Sequence, residues 1–159
     1  MEREKHQLDR MDRKILDILQ REGRIAITEL AARVGLTTSP CAELVKRMER
    51  DGVITGYHAQ VAAGAVDKPL LVFVEIKLAS KGGDVFDAVR DELLHMPEVM
   101  ECHLVSGDFD YLLKFRLRDM REYRSLLGSV LKRLPVAAES RSFIVMEEIK
   151  ESLYLPLAR

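Results

Sequence analysis

The chain has 159 residues, 47% of them hydrophobic, with 25 Lys and Arg against 26 Asp and Glu, two cysteines and no tryptophan. That balance suits one ordinary domain or two small ones and excludes a disordered or low-complexity chain. No apolar run approaches the roughly 20 residues a membrane-spanning helix needs, and the charged opening MEREKHQLDR resembles neither a secretory signal nor a transit peptide. Cys41 and Cys102 read as reduced thiols, and the four scattered histidines (6, 58, 95, 103) lack the paired ligand spacing of zinc sites. The expectation is a cytoplasmic protein without a metal.

Leu8, Met11, Ile15, Leu16, Ile18 and Leu19 recur at helical spacing, and Gly23 ends the run. Thr28 opens a short helix, TELAARVG, with Leu30, Ala31 and Val34 inward. A third helix starts near TTSP, where a Thr or Ser can cap it and Pro40 fits the first turn. It runs to Arg50 and stops at Asp51–Gly52. VITGYHAQV (53–61) reads as a short ribbon after the helices, and AAGAVDKP (62–69) as a linker. LLVFVEIKL (70–78) is a strand with Val72, Val74, Ile76 and Leu78 on one face. Asp84 caps a helix through Met96 with Phe86, Val89, Leu93 and Met96 inward; strands follow at 98–106 and 109–118. Asp119 caps a second helix that Pro135 ends, and 140–150 is a fourth strand.

The result is α+β: a winged helix-turn-helix over 1–61, the linker 62–69, and a βαββαβ ferredoxin-like sandwich over 70–159 with both helices on one sheet face. The other face carries apolar residues (Leu71, Phe73, Leu113, Phe115, Phe143, Val145), which predicts dimerisation.

Two constellations bear on function. In Ala31-x3-Gly35-x5-Cys41-x2-Leu44, a small residue lets two helices touch and a glycine permits a positive φ in the turn. Cys41, Leu44, Val45 and Met48 face the core. Thr38, Ser39, Ala42, Glu43, Lys46, Arg47 and Arg50 form the opposite face, short polar groups for base edges and basic ones for phosphates. The plainer alternative is a helical subdomain with a solvated charged face. Residues 1–60 carry 11 basic and 10 acidic side chains, far from the strongly basic signature of a non-specific DNA coater. In VSGDFDYLLKF (105–115), Ser106, Gly107, Asp108 and Asp110 fit a hairpin turn, a carboxylate pair, or a site whose N–H groups and aspartate capture a zwitterionic amino acid. In the last reading Leu104 and Met120 take the ligand's side chain.

The segments LDRMDRKILDILQREGRI, ELAARVGLTTSPCAELVKRMERDGVITGY, LLVFVEI, ECHLVSGDFDYLLKF, YRSLLGSVLKRLP and VMEEIKE, in that order, resemble the leucine-responsive regulatory protein (Lrp/AsnC, feast/famine) family of prokaryotic transcription regulators, nearest its Lrp branch. The resemblance covers Leu8 to Glu151. It implies DNA binding through Thr38, Ser39, Glu43, Lys46, Arg47 and Arg50, and a small amino-acid effector such as leucine. It also implies dimers assembling into octamers or larger rings that bend nucleoid DNA. The effector would lie between neighbouring C-terminal domains near Ser106, Gly107 and Asp108, with Asp110 the responsive aspartate and Leu104, Gly107, Met120 and Ile144 lining the pocket, Val72 less firmly. Two departures stand out: Pro135-Val136-Ala137 lacks the glycine that often follows this proline, and the linker lacks the branch's Asn-Pro. The rival functions are a DNA-organising protein with little effector response and a sensing subunit of a metabolic enzyme. The chain itself carries no nucleophile–base pair of an enzyme.

Overall fold

The computed structural model describes residues 8–157. The chain divides into two compact units, one made of the N-terminal 60 residues with the segment from Lys150 onward, the other of Val61–Ile149. The division departs from the sequence reading at the C-terminus: the tail groups with the helices, not with the sheet that precedes it.

The first unit contains α1 (Arg10–Leu19), α2 (Ile27–Val34) and α3 (Thr38–Arg50). Its core is Ile15, Leu16, Leu30, Ala31, Val34, Cys41, Val45 and Met48, with Leu157 of the tail packed against it. Ala31 is 1% exposed, the close approach that its small side chain permits. Gly35 ends α2 at φ +79° and Leu36 N–H donates to Ala31 O at 2.9 Å, so the tight turn needs the glycine. The caps differ from expectation. α1 starts with a reciprocal capping box, Asp12 N–H on Asp9 Oδ1 at 2.8 Å and Asp9 N–H on Asp12 Oδ2 at 3.2 Å. α2 and α3 begin at Ala26 and Thr37 without any side-chain cap. Residues 53–61 form no paired strand; the segment is anchored instead by Val53 and Ile54 N–H groups on Met48 O and by the Tyr57 hydroxyl on Glu49 Oε1 at 3.0 Å.

In the second unit the linker is a 3-10 turn, Ala63–Val66, with Lys68 paired to Glu122. Then come β1 (Leu70–Leu78), α4 (Val85–Leu94), β2 (Val99–Leu104), β3 (Tyr111–Leu117), α5 (Met120–Arg133) and β4 (Ala138–Ile144). The sheet is antiparallel in the order β2-β3-β1-β4, the order of a βαββαβ sandwich. Val72, Val74 and Ile76 pair with Phe115, Leu113 and Tyr111, and with Val89, Leu93, Tyr123 and Val130 they build the core.

That register corrects one expectation: Leu113 and Phe115 lie under the helices, 0% and 2% exposed. The open face is instead Leu71, Phe73, Glu75 and Lys77 of β1 with Leu112, Lys114 and Arg116 of β3 and Phe143 and Arg141 of β4. β4 ends at Ile144 instead of continuing to 150. Asp119 caps α5 through Arg121 and Glu122 N–H groups, whereas Asp84 precedes α4 without a capping hydrogen bond.

Candidate functional site

The helix following the Gly35 turn presents one apolar and one polar face. Cys41, Val45 and Met48 are 0–9% exposed and plug the core, and burial pushes the Cys41 thiol pKa up, so it acts as a small apolar wedge. Thr38, Ser39, Glu43, Lys46 and Arg50 are all exposed on the other side. Their order along α3 puts hydroxyls at its N-terminus and cations further on, the arrangement of a helix whose start approaches base edges while its later turns meet phosphates.

Arg47 departs from that set. Its Nη2 sits 2.7 and 2.9 Å from the two oxygens of Asp12, whose side chain is 1% exposed. The guanidinium therefore ties α3 to the capping box of α1. Sequence spacing placed Arg47 on the polar face, which is where its Cα lies, but could not show that a long side chain folds back to a carboxylate 35 residues earlier. Asp12 and Tyr57 are contacts of this helix that the sequence reading missed. The Asp9/Asp12 spacing of a capping box was a readable signal for the first; the second had none beyond its aromatic ring. Burial first, then the hydrogen bond to Glu49, pushes the Tyr57 phenol pKa up to about 12, so it donates at any ordinary pH.

The second candidate site is the β2–β3 turn. Gly107 holds φ +139°, and Ser106, Gly107 and Asp108 are exposed. Asp110 turns the other way: it is 5% exposed, Oδ2 accepts Leu78 N–H at 2.8 Å, and Oδ1 faces Lys81 Nζ at 2.8 Å. Burial alone would raise the Asp110 pKa, but the Lys81 ammonium and the Leu78 N–H outweigh it and hold the carboxyl below the usual aspartate range. Asp108 and Asp110 thus do not converge as a carboxylate pair. Among the described residues no three His, Cys, Asp or Glu side chains group as a metal would require.

The remaining pocket residues are separated. Leu104 pairs with Tyr111 at one edge of the sheet, at the end where β1 finishes. Ile144 pairs with Val72 at the opposite edge and opposite end, where α5 begins with Met120. Three strand spacings separate those edges, about 14 Å. Leu104, Met120 and Ile144 are 63%, 48% and 40% exposed. One subunit brings Leu104 together with Ser106, Gly107 and Asp108; it does not bring them to Met120 and Ile144.

A helix-turn-helix with an exposed polar face, joined to a βαββαβ sheet with an exposed glycine turn, defines a DNA-binding regulator carrying a ligand domain. Residues 8–55 match the winged helix-turn-helix DNA-binding family and residues 71–155 the Lrp/AsnC ligand binding domain. The chain is 51% identical over 150 residues to the leucine-responsive regulatory protein of Haemophilus influenzae, covering 94% of this chain and 90% of that one. The crystal structure of an AsnC family transcriptional regulator from Agrobacterium tumefaciens superposes with a TM-score of 0.88 at 36% identity, over 94% and 97% of the two chains. That of a Neisseria meningitidis transcriptional regulator complexed with L-Met does so with a TM-score of 0.88 at 31% identity, over the same shares.

The chain belongs to the Lrp/AsnC family. It is a DNA-binding regulator of transcription that carries a ligand-binding domain.

Proposed function

We propose that α3 reads DNA through Thr38, Ser39, Glu43, Lys46 and Arg50, and that Arg47 serves this face indirectly by holding α3 to Asp12. What supports this reading is the exposure of those five side chains beside the half-buried Arg47–Asp12 contact. A dimer would set two such helices roughly 34 Å apart, one turn of duplex, so the target is a pseudo-palindrome on nucleoid DNA.

The effector site is shared between copies. The observation that carries this is the separation of Leu104, Ser106, Gly107 and Asp108 from Met120 and Ile144 within one subunit. The loop supplies N–H groups for a carboxylate, and the neighbouring copy supplies the apolar surface for a hydrocarbon side chain. Asp110 shapes the loop, and its carboxylate, now paired with the Lys81 ammonium, offers a partner for the ligand's own ammonium. Dimers join through the open sheet face, where Lys114 pairs with Glu101 at 3.0 Å and Arg116 with Glu148, so packing against a second copy buries few unpaired charges. Octamers form from such dimers. Leucine and methionine are the effector candidates, because both offer an unbranched-at-Cβ apolar chain.

Sedimentation velocity with each of the two amino acids, repeated on equimolar mixtures of Gly107→Val and Ile144→Asp chains, tests it. The expected result is an assembly shift in wild type, none in either variant, and partial recovery in the mixture, where some clefts combine two intact halves. No recovery in the mixture would contradict the shared site.

A further inference from the structure

The segment read from sequence as a short tail is bound to α1 by a set of specific contacts. The Tyr154 hydroxyl donates to Asp17 Oδ1 at 2.6 Å and accepts from Arg21 Nη2 at 2.8 Å. Arg21 Cζ lies 4.6 Å from the Tyr154 ring centroid, and Arg21 also pairs with Asp17 at 2.5 Å. One turn away, the Gln20 side-chain amide donates to Leu155 O at 3.1 Å and accepts Leu155 N–H at 2.7 Å. Leu157 then enters the helical core. An exposed ion pair alone stabilises little. A two-way amide–backbone pair, a stacked guanidinium and a half-buried leucine together fix register, orientation and depth.

α1 is therefore held at both ends. Its first turn is tied to α3 through Asp12 and Arg47, and its last turn to the C-terminal segment through Asp17, Gln20 and Arg21. We infer that residues 152–157 are a positioning strap for the recognition helix. By fixing the far end of α1 they fix the Asp12 carboxylate on which Arg47, and with it the register of α3, depends. Base readout needs its side chains held within about half an ångström by a supporting layer, and the strap is part of that layer. The DNA-reading unit is thus completed only by chain that follows the whole sheet domain.

The inference rests on the reading of α3 as the base-reading helix. The test uses the full chain and two duplexes: one that wild type selects from a random-sequence pool, and a scrambled duplex of equal composition. The readout is the ratio of the two affinities. Loss of folded protein lowers the active fraction and leaves this ratio alone, whereas a displaced α3 lowers the ratio. Tyr154→Ala and a chain ending at Glu151 are expected to lower it about tenfold, and Tyr154→Phe, which keeps the ring and loses the hydroxyl, to lower it less. An unchanged ratio in these variants overturns the strap. Should Tyr154→Ala not fold, Tyr154→Phe decides by the same criterion. Glu43→Gln tests α3 separately: an unchanged ratio there overturns the reading of α3, while a fall there with none from Tyr154→Ala overturns the strap alone.

Discussion

Asp110 illustrates how one residue serves two descriptions. The family resemblance implies that it is the effector-responsive aspartate, and its carboxylate is folded inward onto Leu78 N–H and Lys81. Its pKa is lowered on folding, so its contribution to stability is fully present above the ordinary aspartate pKa and is lost as pH falls through the lowered value. Thermal melts across acid pH should therefore show wild type losing stability in this range more steeply than Asp110→Asn, which has no carboxyl to protonate. Superimposable acid limbs would mean that the carboxylate contributes nothing specific to the fold.

At the scale of elements, the ion pair between α1 and α3 is the joint that sequence could not supply. Asp12 is 1% exposed and the Arg47 side chain 36%, which places the pair between a surface salt bridge and a buried one. Arg47→Ala removes the guanidinium from a buried carboxylate that keeps its Asp9 N–H bond, and is expected to cost about 1–3 kcal/mol in urea unfolding. An unchanged midpoint would show that Asp12 has adequate alternative partners. Periodicity read the five helices and four strands well, because apolar residues at i, i+3, i+4 or i, i+2 must face a core. It read the Gly35 stop and the Asp119 cap, but most other helix starts poorly. Asp84, Thr28 and the Thr and Ser before Pro40 have capping chemistry but make no capping hydrogen bond, while Asp9 and Asp12 do. The β-rich stretch 53–61 has no partner strand, and its anchor is Tyr57 on Glu49; tertiary contact overrides propensity there. The site was legible where a turn demands glycine or a helix must show two faces. It was not legible where a long side chain such as Arg47, or a distant segment such as Tyr154–Leu157, completes it.

For the whole molecule, the near balance of 11 basic and 10 acidic side chains over residues 1–60 leaves one DNA-reading unit little net positive charge to set against phosphate. In the proposed assembly, binding strength comes from several copies engaging one duplex, and an amino acid that binds one assembly better than another would shift affinity by linkage, on a scale of about 1–3 kcal/mol. In the proposed arrangement the sheet domain handles assembly and ligand, and α3 handles DNA. The central claim is that division, with the exposed side of α3 on the duplex. It is tested most directly by titrating the selected duplex against wild type and Lys46→Ala over a range of salt concentrations. Wild-type affinity should fall steeply with salt, and Lys46→Ala should bind more weakly with a slope smaller by about one per engaged subunit. Identical slopes and affinities for the two proteins would contradict it.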